Sequence, residues 1–413
     1  MLGSLLMTSV IGHAGDMTVM GNLHATTFTG NGAQLTGIAA AVYNNTLIVN
    51  DEGGYGGLNL TLAMAVAQTN ASEATPYLIK IEPGVYDIAN STLGMHEWVD
   101  IEGSGEGITT IESSRCAIDS GAINGADNAE LRLLTVKNTG TGSRCYALYN
   151  DGTSPSLFRV TLLAETVAVD TGGNTYRYGL RNLNGASPSV DHVTIKAAGA
   201  SHNRGVYNTT SSSPTIKNSD ITAGGGTDVR GIYNSNSSNS SIQDSTVTAQ
   251  SATTTYGIYN SSSAPMISRT TITAKHSNTG AGNMIGMYNS NSQPKIRDSD
   301  ISAVKGVDAK GMYNLNATVD LFSVRISASG AASSNIGVFN QGTNPAYSRV
   351  TAAHSYFEGL SNSIENNSTL SVVEISNSDV QQPRDTSSGV WHCIHSYYSN
   401  AGLVELDDQC LPL

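Results

Sequence analysis

Apolar residues along most of this chain recur in short bursts rather than at helical spacing. β-Branched and aromatic side chains alternate with polar ones over a few positions, and then Gly, Asn or Ser breaks the run, which reads as strand, turn, strand. One phrase recurs above all others: Gly205-Val-Tyr-Asn208, Gly231-Ile-Tyr-Asn234, Gly257-Ile-Tyr-Asn260, Gly286-Met-Tyr-Asn289, Gly311-Met-Tyr-Asn314 and Gly337-Val-Phe-Asn340, at spacings of 26, 26, 29, 25 and 26. Weaker copies extend it to Ala147-Leu-Tyr-Asn150 and Gly179-Leu-Arg-Asn182 upstream and to Ser363-Ile-Glu-Asn366 downstream. After each copy comes a second phrase, as in Ile216-Lys-Asn-Ser-Asp-Ile-Thr-Ala223 and Ile242-Gln-Asp-Ser-Thr-Val-Thr-Ala249. A unit of this size cannot bury its apolar face alone, so the repeat predicts parallel stacking of coils about 4.8 Å apart. The fold class expected is all-β.

Two columns of side chains follow from such stacking. Asn208, Asn234, Asn260, Asn289, Asn314 and Asn340 are expected at left-handed turn positions, each amide bonding to the next rung. Tyr207, Tyr233, Tyr259, Tyr288 and Tyr313, continued by Phe339, are expected to stack as an aromatic column. This column is read first as structural and second as a platform for sugars.

Composition fits a stacked fold: charged residues are 13% and aromatics 6% of the chain. The formal net charge of −12 and the absence of a Lys/Arg cluster exclude electrostatic binding of nucleic acid. Residues 1–14, MLGSLLMTSVIGHA, read as a signal-peptide remnant, which predicts a secreted, extracellular or cell-surface location. No run is long enough for a transmembrane segment. With export expected, Cys393 and Cys410 are predicted to form a disulfide, and Cys116 with Cys145, 29 residues apart, another between neighbouring rungs. The cysteine and histidine spacings predict no metal site, and no cofactor is expected.

The Gly-Ile-Tyr-Asn phrase followed by Ser-Pro-x-Ile-x-Asn-Ser-x-Ile resembles the coils of the pectin-lyase-like superfamily. Leu78-Ile-Lys-Ile-Glu-Pro-Gly-Val-Tyr86 and Val99-Asp-Ile-Glu-Gly-Ser-Gly105 are similar to the first coils of pectinesterase-like proteins. The resemblance implies a right-handed parallel β-helix (solenoid) of roughly ten coils of about 26 residues, with N-terminal and C-terminal caps. Residues 61–383 are assigned to it, with a capping helix near Thr61 to Ala71, and 384–413 to a disulfide-linked cap. Within the stalk or linker 15–60, Gly21-Asn-Leu-His-Ala-Thr-Thr-Phe-Thr-Gly-Asn-Gly-Ala-Gln-Leu-Thr-Gly-Ile38 resembles a segment of phage tail-fibre and bacterial surface proteins, which implies a trimeric stalk.

Candidate chemistry is sparse. The resemblance implies polysaccharide cleavage by paired carboxylates or by β-elimination, yet the Asn-Thr-Asp, Asp-Asp and Gly-His-Gly set of polygalacturonases does not occur together in this sequence. No catalytic residue is therefore assigned. Asp220 with Asp300 and Asp244 with Asp298 share repeat positions, and Arg325 follows in the same register, which predicts an exposed ion pair. Arg204, Arg230 and Lys310 each precede the repeat Gly and form a basic file along one edge, a candidate contact for a glycan. His192, His202, His276 and His354 stand isolated. These readings favour an extracellular structural or adhesive protein, self-assembling as trimers or end to end. The rival is a polysaccharide-binding or polysaccharide-cleaving β-helix of the tailspike kind.

Overall fold

The computed structural model describes residues 43, 45–50, 59–166, 173–251, 253–343, 345–381, 388–398 and 404–410, with the backbone alone over 277–281. The signal-peptide remnant and the stalk segment up to residue 42, and with them the trimeric stalk, lie outside the described residues. From Tyr43 onward the chain is a parallel β-solenoid of about 11 turns.

Each central coil contributes three strands to three parallel sheets. Sheet I carries the repeat phrase and stacks Arg144–Asp151, Tyr176–Leu183, His202–Asn208, Asp228–Ser235 and Thr254–Ser261, then residues 283–290 and 308–315, then Ser334–Gln341. Sheet II holds short strands such as Thr215–Lys217 and Ser241–Gln243; sheet III holds Asp220–Gly224 and Thr246–Gln250. Between sheets II and III a single residue with positive φ turns the corner, and it recurs as His192, Asn218, Asp244, Arg269 and Asp298. That corner explains why Asp and Asn recur there: a short polar side chain tolerates the left-handed conformation.

Ile232 and Ile258 from sheet I, Ile242 and Ile267 from sheet II, and Val247 and Ile272 from sheet III meet in one continuous core, each at most 2% exposed. Burial of one such side chain contributes about 1.5–3 kcal/mol. The repeat Gly has its own cause. A Cβ on Gly231 would lie 2.4 Å from Val247 Cγ1 and 2.5 Å from the Gly257 oxygen, so only a residue without a side chain lets sheet I approach sheet III.

The asparagine ladder forms, but in a different conformation from the expected one. Asn208, Asn234 and Asn260 are fully buried inside sheet I, and the positive-φ positions lie two residues further on, as at Asn236 and Ser262. Each Nδ2 donates to the Oδ1 one rung on, from Asn150 to Asn182, Asn208, Asn234, Asn260, Asn289 and Asn314, over 2.8–2.9 Å. One step is missing. Asn314 Nδ2 has no hydrogen-bond partner, and on the next rung Asn340 Oδ1 accepts from Ser348 Oγ at 2.7 Å.

The solenoid outruns its expected limits at both ends. Asn45–Val49 already pairs in parallel with Tyr77–Ile81, and helix Leu60–Asn70, capped by the Asn59 side chain, is inserted between them with Leu60, Ala63, Met64 and Ala67 buried against the core. Beyond residue 383, Val390–Ile394 and Tyr397–Tyr398 continue parallel pairing, so the C-terminal segment contains a further partial coil before the antiparallel Val404–Glu405 closes it. Both expected disulfides are present. Cys116–Cys145 joins rungs with Cα atoms 4.2 Å apart, and Cys393–Cys410 closes a 17-residue separation, a loop worth about 3 kcal/mol in the chain-entropy view. No helix among the described residues is long and apolar enough to cross a membrane.

Candidate functional site

Strand alternation sends three positions of each sheet I strand outward. In Asp228–Ser235 these are Asp228, Arg230 and Tyr233; the paired register skips Gly231, which is why Arg230 and Tyr233, three residues apart, share a face. Stacking turns these positions into columns. The first reads Arg144, Tyr176, His202, Asp228; the second Tyr146, Tyr178, Arg204, Arg230, Tyr256; the third Tyr149, Arg181, Tyr207, Tyr233, Tyr259. An arginine thus stands in the second column or the third, next to tyrosines on the rungs above and below.

The rings and guanidinium groups interleave. Tyr207 stacks on Tyr233 at 4.9 Å, and the aromatic column continues through Tyr259, Tyr288, Tyr313 and Phe339 with centroids 4.7–5.1 Å apart. Arg230 lies 4.4 Å from the Tyr233 centroid and 4.1 Å from that of Tyr259. Arg204 sits 5.4–5.7 Å from Tyr176, Tyr178, Tyr207 and Tyr233. Arg181 takes the tyrosine position of its rung and reaches Tyr146, Tyr149, Tyr178 and Tyr207 at 5.1–5.8 Å. Cation–π contacts of this kind contribute about 0.5–2 kcal/mol each and hold the guanidinium planes in fixed orientations.

Charge on this patch is not balanced internally. Asp228 accepts from Arg230 Nε at 3.0 Å and Nη2 at 3.1 Å, and from Arg204 Nη2 at 3.3 Å, so one carboxylate serves two guanidiniums. Arg181 donates to the Ile118 carbonyl at 3.3 Å and to Tyr146 Oη; it has no carboxylate partner among the described residues, and its Nε makes no hydrogen bond. An acidic protein therefore carries a locally basic, aromatic band.

Burial sets the protonation states here. It pushes the Tyr178 and Tyr256 hydroxyls up to about 12, so both stay neutral donors. His202, across the rung from Asp228 and edge-on to Tyr176 at 4.5 Å, is held below the usual histidine range by burial and then by Arg204. Its Nδ1 has no hydrogen-bond partner. Burial works against the Arg230 charge, but the Asp228 carboxylate outweighs it and raises its pKa.

Of the basic file, Arg204 and Arg230 are not a solvated edge: their side chains are 9% and 14% exposed, clamped between rings. Lys310 lies apart, its Nζ 5.5 Å from the Phe339 centroid. Asp220, Asp244, Asp298 and Asp300 are exposed on sheets II and III, away from this face; Arg325, paired in register with Asp300, bonds instead to Glu358 at 3.1 Å. Asp244 pairs with Arg269 at 2.6 Å. Asp220 lines a polar groove of about 360 Å³ with Glu106, Arg159 and His192. Among the described residues no group of His, Cys, Asp or Glu could hold a metal ion. Sequence reasoning missed His202, Asp228 and Arg181. A signal for them was available: Tyr178-Gly-Leu-Arg181 is Arg204-Gly-Val-Tyr207 with its ends exchanged, and His202-x-Arg204 and Asp228-x-Arg230 share one strand face by alternation.

No family model and no curated sequence matches this chain. Solved structures do. The A-module of the Azotobacter vinelandii mannuronan C-5 epimerase AlgE6 matches with a TM-score of 0.55 at 13% identity, covering 81% of this chain and 94% of that one. Pectin methylesterase from Aspergillus niger gives 0.39 at 14% identity over 70% and 86% of the two chains, and pectin methylesterase PemA from Erwinia chrysanthemi 0.32 at 11% over 77% and 90%. The match to the epimerase module shows the fold, a right-handed parallel β-helix. The structural or adhesive role favoured by the missing motifs gains no support from these neighbours.

Proposed function

We propose that this protein binds acidic polysaccharide, with polyuronate as the substrate class, along the tyrosine–arginine face of sheet I. One observation carries the reading: Arg181, Arg204 and Arg230 are held in ring-lined positions, and among the described residues a single carboxylate, Asp228, bonds to them. A guanidinium binds a carboxylate through paired N–H donors, and half-buried tyrosines offer a flat apolar surface with a polar tip to a sugar ring. Repetition at the rung spacing of about 4.8 Å presents such groups periodically, which suits a polymer. The fold neighbour named for mannuronan, an acidic polysaccharide, is in keeping with this chemistry. Calorimetric titration with polymannuronate and polygalacturonate, against dextran of matched length, tests it. Binding to the acidic polymers that weakens with salt and drops about tenfold or more in the Arg204→Gln/Arg230→Gln double variant is expected. Equal binding to dextran, or none to either polyuronate, overturns it.

A catalytic reading is favoured by one further feature. His202, neutral and with Nδ1 unpartnered, stands next to Arg204, which pairs a base with a guanidinium able to offset a uronate carboxylate. His202 would remove the C5 proton, the C4–O4 bond would break as C4=C5 forms, and the same proton would pass from His202 to the departing O4, releasing an alcohol and an unsaturated uronate end. Ultraviolet absorbance of that end, lost in His202→Gln, is the expected result; binding without any such product leaves the protein a glycan receptor.

A further inference from the structure

We infer that the loop 114–121, stapled by Cys116–Cys145, blocks the upstream end of the tyrosine–arginine face, so that Arg181 seats the terminal sugar of an anionic glycan chain. The inference rests on the glycan-binding reading above.

Sheet I narrows at this end to two-residue strands, Ile123–Asn124 and then Leu93–Gly94. The rung before Arg144–Asp151 supplies only Ile123–Asn124, which pairs with Leu148 and Tyr149. The preceding residues leave the sheet and pass over its outer face instead. The Ile118 carbonyl accepts from Tyr146 Oη and from Arg181 Nη1, both at 3.3 Å, while the Ile118 side chain stands 67% exposed. Tyr146, in an outward column, is consequently fully buried. A glycan lying along the columns meets this loop one rung beyond Arg181.

The loop is fixed in place. Besides the disulfide, Asn138 Nδ2 donates to the Arg115 carbonyl at 2.6 Å and Arg115 Nε to Ser120 Oγ at 3.2 Å. Packing under it is close enough that a Cβ on Gly140 would fall 2.2 Å from Cys116 Sγ. Charge reinforces the stop. Asp119 and Asp151 act electrostatically on Tyr149, at the edge of the Arg181 cage, so a second uronate beyond Arg181 would meet carboxylates. Arg204 and Arg230 already share Asp228, whereas Arg181, like Arg144 in the first column, has no carboxylate partner among the described residues.

The test is the stoichiometry of complexes with polygalacturonate fractions of increasing length, read by sedimentation and calorimetry on the non-reduced protein. An end stop predicts about one protein per glycan end at every length, an affinity about tenfold or more weaker in Arg181→Gln, and a protein number that grows with length in Cys116→Ser/Cys145→Ser. Should that double variant fail to fold, the wild-type series decides alone. Several wild-type molecules on one long chain would overturn the end stop while leaving the glycan face standing. Absence of binding to every fraction would overturn both.

Discussion

The two halves of sheet I share an interior and differ outside. Upstream, rungs through Thr254–Ser261 place Tyr146, Tyr178, Arg204, Arg230 and Tyr256 in the second outward column; downstream the same column reads Ile285, Lys310 and Ile336. Inward, Val206, Ile232 and Ile258 give way only to Met287, Met312 and Val338, all with no exposure. Stacking constrains a buried position through the rungs on either side of it, whereas an outward position answers to what it meets in solution. The same backbone thus carries a patch of arginines between tyrosines over one half and a single aromatic file, Tyr288, Tyr313 and Phe339, over the other. The proposed glycan face lies in the upstream half.

The sharpest way to break this comparison is through the interior. Ile232→Ala and Met312→Ala, one in each half, are each expected to cost about 2–5 kcal/mol in chemical unfolding, since both open a cavity in the same continuous core. A marked loss from only one would mean that the halves do not share an interior. A smaller effect is expected from the ladder. Asn260→Ala strands Asn234 Nδ2 and Asn289 Oδ1 and should cost about 1–3 kcal/mol. Asn314→Ala, which loses a single ladder bond, should lower the melting temperature less; equal losses would deny that the ladder amides are coupled pairwise.

The smallest effect is pH-dependent and confined to the upstream patch. Because burial and Arg204 lower the His202 pKa, the unfolded chain takes up this proton before the folded one as pH falls below the ordinary histidine value, and stability declines through that window. Above it both states are neutral and His202 contributes no slope. His202→Gln should flatten the fall in melting temperature between about pH 6.5 and the lowered value. A slope unchanged by the substitution would show that His202 is not held neutral by its surroundings.

Much of this molecule is written locally. The Gly-x-Tyr-Asn phrase and its spacing determine parallel stacking and the asparagine and aromatic columns, because a repeated unit in register meets its own copy on the next rung. The repeat does not disclose the conformation of the ladder asparagines, which are strand residues with the left-handed turn two positions on. It also does not disclose that Asn45–Val49 and Val390–Ile394 extend the solenoid, since both lack the repeat phrase. The burial and contacts of the candidate site came from the tertiary structure. His202, the Asp228 and Arg230 pair, and Tyr256 come from three successive coils, and Ile118 reaches Arg181 from 63 positions away. A period in sequence states which positions align; what aligned side chains do to one another depends on the loop that folds over them and on the burial it imposes.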